Sequence, residues 1–114
     1  MTSIAEIQQE KAAAVGQAEE VLFQVIDREN NSSGLEKENW NQARLRIENV
    51  ITRLNAQAFE RALHEAQPAL DALRQVSGEL QTAAGRMRSA TEFLHALNDL
   101  LGATNTALNA LRRF

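Results

Sequence analysis

The sequence predicts an all-α protein, an elongated antiparallel helical bundle or coiled coil of three long helices, four if the last breaks near Gly78 or Gly85. Three observations predict this. Apolar residues recur every three or four positions along most of the chain, the mark of helices with one oily side. The composition is rich in alanine, with one Pro, no Tyr, four Phe and one Trp, a balance that favours helix over sheet. The C-terminal third keeps a seven-residue apolar repeat in phase to the end. At 114 residues the chain fits a single domain, residues 1–114, with helices near 3–27, 34–67 and 68–112 and a loop at 27–34.

The first helix is expected to start at Ser3. Ser3 and Glu6 form an S-x-x-E capping box, in which each side chain satisfies a free amide of the first turn. Ile4, Ile7, Ala14, Ala18, Val21, Leu22 and Val25 then line one face. The face widens through Phe23 and Ile26, so this end is expected to be the most deeply buried. Asp27–Gly34 is polar, holds several turn formers and lacks an apolar anchor, which marks a loop.

Ser33 and Glu36 repeat the capping box and open the second helix. Trp40, Ala43, Ile47, Val50, Ile51, Leu54, Ala58, Ala62 and Ala66 follow one side of it, with Leu45, Phe59 and Leu63 as a second stripe. Trp40, the sole tryptophan, reads as an anchor closing the bundle end beside the 27–34 loop. Pro68 marks a kink or tight break and fits the first turn of the next helix, because proline lacks the amide that a helix interior needs.

In the last segment Leu73, Leu80, Met87, Leu94, Leu101 and Leu108 fall seven apart. Val76, Ala83, Ala90, Leu97, Thr104 and Leu111 follow each by three. These are the a and d positions of a heptad seam. The adjoining g positions hold Phe93, Leu100 and Ala107 rather than charges, giving the wider apolar face of a helix in a bundle. Because the phase survives Gly78 and Gly85, one continuous helix over 68–112 is the expected arrangement, ~65 Å long at 1.5 Å per residue. Its excess length would leave leucines exposed, and an exposed apolar stripe marks an association surface.

Charge and composition exclude several function classes. The net charge is −3 with both signs interspersed, whereas a nucleic-acid binder needs a basic stripe. The chain has no cysteine, so disulfides, thiolate metal sites and thiol nucleophiles are excluded. No apolar run approaches the ~20 residues of a membrane span. The N-terminus lacks the basic start and apolar stretch of a cleaved signal peptide. A cytoplasmic location is expected, with signal-independent secretion left open.

Chemistry-bearing residues are sparse. The two histidines are His64 and His95. Glu92 and His95 match the E-x-x-H spacing that supplies two metal ligands from one helix, but no second copy follows to complete a site. No cofactor and no metal is expected. The stretch His95-Ala96-Leu97-Asn98-Asp99-Leu100-Leu101-Gly102 resembles the phosphotransfer-histidine motif, H-x-L-K-G with a later glycine. Asn98 stands where that motif has lysine and Asp99 where it has glycine. The resemblance implies a helical bundle with His95 as an exposed phosphoacceptor. Arg44, Arg46 and Arg53, and separately Arg86 and Arg88, form the basic clusters. Each reads either as an ion-paired solvated face or as a surface for an acidic partner.

The sequence thus points to a non-enzymatic helical protein–protein interaction module, such as an adaptor, assembly factor or secretion-type chaperone, acting through the leucine seam. The residues expected to carry it are Leu73, Leu80, Met87, Leu94, Leu97, Leu101 and Leu108, with Trp40. The partner is expected to be a protein, or a second copy in a homodimer. The alternatives are a histidine phosphotransfer domain using His95, and a toxin-, immunity- or phage-type inhibitor that docks a helical face on its target.

Overall fold

A computed structural model describes residues 4–56 and 66–112. They form four helices: α1 (Ile4–Asn30), α2 (Gly34–Asn55), α3 (Ala66–Ala84) and α4 (Ala90–Arg112). The molecule is a helical bundle with extents of 50 × 18 × 18 Å. Among the described residues no helix is long and apolar enough to cross a membrane.

The expected loop at 27–34 is mostly helical. α1 runs on to Asn30 because its last carbonyls find side-chain partners. The Asn31 Nδ2 donates to the Asp27 carbonyl at 2.8 Å, and the Ser32 Oγ donates to the Arg28 carbonyl at 2.7 Å. The chain then reverses through Gly34, whose φ of +62° is a left-handed conformation that a side chain would strain. Ser33 occupies the N-cap of α2, but its hydroxyl makes no capping bond, so the anticipated Ser33–Glu36 box is not formed. Glu36 is used elsewhere, as described below. The other expected box, at Ser3, lies outside the described residues.

The long third helix is the main difference from expectation. The four-helix alternative holds, and the break falls at Gly85. The Gly85 amide makes the last helical bond, to the Gln81 carbonyl, and Arg86 then bonds one residue shorter, to Ala83. Ser89 caps α4: its Oγ accepts from the Glu92 amide at 3.2 Å. Ser89-Ala90-Thr91-Glu92 is itself an S-x-x-E sequence, a helix-start signal lying within the apparent heptad run. Met87, buried in the turn, keeps the run in apparent phase while closing the bundle end.

The second helix also ends earlier than Pro68, at Asn55 with Ala56 as C-cap. Pro68 sits in the first turn of α3, where its missing amide costs nothing. His64, Phe59 and Leu63 lie outside the described residues. Topology supplies a reason for the early ending. α1 packs on α2 and α3, and α4 packs on α3 and α2, while α2 and α3 are not neighbours. α2 and α3 therefore sit on a diagonal of the bundle, their axes ~13 Å apart where neighbouring axes are 8–10 Å apart, so α2 does not simply kink into α3.

Relative directions follow from cross-helix contacts. Arg74 Nε lies 4.0 Å from Glu10 Oε2, joining the middle of α3 to the second turn of α1. The Ala90 amide donates to Glu36 Oε1 at 3.0 Å, placing the starts of α4 and α2 side by side. Both hairpins, α1–α2 and α3–α4, thus close at the same end.

The core is drawn from all four helices. It holds Ile7, Val21 and Val25 of α1, and Trp40, Ile47 and Leu54 of α2. α3 gives Leu73, Val76 and Leu80, and α4 gives Phe93, Leu97, Leu100 and Leu108. Trp40 meets Phe93 with ring centroids 5.6 Å apart and a tilt of 38°. The anchor read from the sequence is therefore in place and links the two hairpins near their closed end. Phe23, expected in the most buried stretch, instead points outward and is 70% exposed, since the neighbouring Val21 and Val25 already face the core.

Candidate functional site

The residues expected to carry the interaction each have a definite place, while the side chain of Leu111, also on the expected seam, lies outside those described. Leu73, Leu80, Met87, Leu97, Leu108 and Trp40 are buried inside the chain's own bundle. Leu94 and Leu101 are partly buried and pack against the edge of the core. α4 begins afresh at Ser89, and its inner line runs Ala90, Phe93, Leu97, Leu100, Thr104 and Ala107. The g and d positions therefore face the core, and the a positions Leu94 and Leu101 lie at its rim. Closing the α3–α4 hairpin buries the seam on the other helices, so those side chains are not a free strip awaiting a partner.

One pocket of about 620 Å³ lies on the α1–α2 hairpin, lined by Glu29, Gly34, Lys37, Glu38, Asn39, Asn41 and Gln42. The histidine-bearing surface lies at the closed end, along α4 between the α3–α4 turn and α2. Two pockets meet at His95. One, of about 350 Å³, is lined by Gly85, Arg86, Arg88, Glu92 and His95 at the α3–α4 turn. The other, of about 320 Å³, is lined by Asn39, Arg46, Thr91, Leu94, His95 and Asn98 between the two helices. His95 is exposed, as its position in the repeat implies.

Local sequence explains the convergence. Asn39, Arg46 and Arg53 are spaced by seven, so they share one edge of α2. Arg53 Nη2 donates to Asn105 Oδ1 on α4 at 2.8 Å, which fixes that edge against α4. Arg86 and Arg88 project from the turn that the break at Gly85 creates. The side chains of Arg46, Arg86 and Arg88 have no ion-pair or hydrogen-bond partner among the described residues. Among the described residues Glu92 is the single carboxylate lining the two pockets.

The first basic cluster is thus split between two duties. Arg44, two residues from Arg46, turns toward α1. Its Nε meets Glu29 Oε2 at 2.8 Å and its Nη1 meets Glu48 Oε1 at 3.0 Å. Asn41 Nδ2 also donates to Glu29 at 3.3 Å. The hydrogen bond from Arg44 holds the Glu29 carboxyl below the usual carboxylate range, outweighing the opposite effect of burial. The same pair of carboxylates holds Arg44 more firmly in its charged form. Arg44 is structural, and Arg46 is left for solvent or a ligand.

Glu92 and His95, the E-x-x-H pair, both line the first pocket, and among the described residues no group of three or more acidic or histidine side chains is placed to hold a metal ion. The sequence signalled both arginine groups. It gave no sign that they would adjoin His95, because that juxtaposition depends on α2 and α4 being parallel neighbours. No protein-family model, curated protein or solved structure matches the chain.

Proposed function

We propose that the protein is a non-enzymatic helical interaction module that docks a partner protein in the α2–α4 groove at the closed end of the bundle. One observation carries this reading: three arginines whose side chains have no partner among the described residues line two adjoining pockets, around a partly buried leucine, on a molecule whose net charge is −3. An arginine side chain carries rotamer freedom and five donors, and a groove that gathers several without pairing them is suited to a ligand that supplies the acceptors. Arginine rims around an apolar anchor also match the composition of protein interfaces.

A photo-crosslinking residue placed at Asn98, inside the groove, tests the reading in cells that make the protein. A discrete protein adduct is expected, lost when Arg46→Glu is added and not given by the same probe at Gln24 on α1. Equal labelling from both positions, or none from Asn98, would remove the groove as the docking surface.

A second reading uses the same place. His95 is exposed at the meeting point of the pockets, with Arg86 and Arg88 in position to neutralise a phosphoryl group that the motif's missing lysine would otherwise serve. Histidine phosphotransfer would then be its activity. Acid-labile phosphate acquired from a phosphodonor, and absent in His95→Gln, would favour it over docking alone.

A further inference from the structure

We infer that the groove recognises an acidic peptide segment in which carboxylates flank an apolar side chain. This rests on the docking reading above and names the partner's chemistry. The two pockets differ in kind. The turn-side pocket has two forked guanidinium groups, Arg86 and Arg88, beside His95. The inter-helix pocket has one, Arg46, beside the amides Asn39 and Asn98 and the partly buried Leu94. A segment lying along α4 from one pocket to the other meets cations at both ends and an apolar surface between them. Guanidinium groups bind carboxylates in paired, planar hydrogen bonds, so the cations select acidic residues and Leu94 selects the apolar one.

Charge elsewhere makes the groove selective. The molecule as a whole is anionic, so an acidic partner is repelled by most of its surface and drawn to this end. Glu92 opposes that attraction locally, which yields a test with a definite sign. The structure also holds its own reporter. Trp40 follows Asn39 in α2 and stacks on Phe93, which lies between Glu92 and Leu94, so the sole tryptophan sits beneath the groove floor.

The full-length chain would be titrated with a blocked Glu-Leu-Glu-Glu-Leu-Glu peptide, following Trp40 emission and backbone amide shifts. Shifts are expected at Arg86, Arg88, His95 and Asn98, with affinity falling as salt rises. The exposed double change Arg86→Glu with Arg88→Glu should weaken binding about tenfold or more. Glu92→Gln should strengthen it. Thermal melts confirm that each variant is folded. Three results would overturn the assignment: equal binding of the lysine counterpart peptide, shifts confined to other faces, or affinity unchanged in the double variant. Binding of a phosphoserine version alone would replace carboxylate by phosphoryl as the recognised group and overturn it too. If Asn98 crosslinks a partner but the glutamate peptide does not bind, the charge assignment fails and docking stands. If neither occurs, docking itself fails.

Discussion

Glu36 does a job that its position in the sequence conceals. It stands three residues after Ser33, where a capping box would turn it back onto its own helix. Its carboxylate instead accepts the Ala90 amide at the start of α4, 3.0 Å away. One side chain thereby satisfies an orphan helix-start donor and ties the two hairpins together at their closed end. Glu36→Ala should cost about 1 kcal/mol in urea unfolding, the usual worth of an N-terminal cap. Glu36→Gln, which keeps the acceptor oxygen, should recover most of it. If alanine and glutamine behave alike, the bond carries no stability. Glu29 gives a second residue-level test. Its carboxyl is held below the usual range by Arg44, so its folded value is lower than its unfolded one. Its contribution is complete above the unfolded carboxylate value of 4.5 and is lost as pH falls through the lower folded value. Stability measured from pH 7 down to about 3 should therefore fall less steeply in Glu29→Gln than in the parent chain. Parallel curves would show that the Arg44 contact does not couple to folding. Trp40 was legible from the sequence because a lone large aromatic on an apolar stripe has few other places to go. Glu36 was not, because its partner lies on a helix 54 residues away.

At the scale of elements, periodicity exposed the helices and concealed one of their ends. Gly78 and Gly85 both sit in the heptad run, and both are exposed, yet only Gly85 ends a helix. The difference lies downstream. Gly85 is followed within four residues by Ser89 and then by Glu92, a start signal that competes with continuation, whereas Thr82 after Gly78 returns its hydroxyl to the Gly78 carbonyl and stays helical. Met87 occupies the seam position by phase while serving as a plug in the turn, so the heptad count passes over the break. α4 then resets its inner line by one residue, which sends Phe93 and Leu100 fully inside and leaves Leu94 and Leu101 at the rim. That reset predicts unequal costs at residues that the heptad treats alike. Leu97→Ala and Leu80→Ala, both fully buried, should each cost about 2–5 kcal/mol. Leu94→Ala, at the rim, should cost roughly 1 kcal/mol, since part of its surface is already wet. Chemical denaturation of the three variants decides it, and equal losses would restore the continuous seam.

For the whole molecule, the neighbour order decides whether association is compulsory. The seam looked like a surface because a single rod would be too long for its companions. Folding that rod at Gly85 makes two helices of 19 and 23 residues that match α2 at 22 and lie beside it and α1. The leucines are then covered by the chain itself, and the hydrophobic drive to find a second copy is spent internally. Neither the fold at Gly85 nor the diagonal placement of α2 and α3 leaves a periodic trace. The sequence therefore showed which side of each helix is oily but not which helix it meets. What remains outside is slight: Phe23, Leu35 and Leu45 are the large apolar residues left exposed among those described, all on the α1–α2 hairpin. Scattered apolar residues of this kind are ordinary on monomers. The purified chain should accordingly scatter light as a single 12.6 kDa species over a wide concentration range. Its small-angle scattering should fit a particle 50 Å long and 18 Å across. A concentration-independent dimer would mean that one of these faces is covered by a second copy, and the groove would then have to be sought on the assembly rather than on the single bundle.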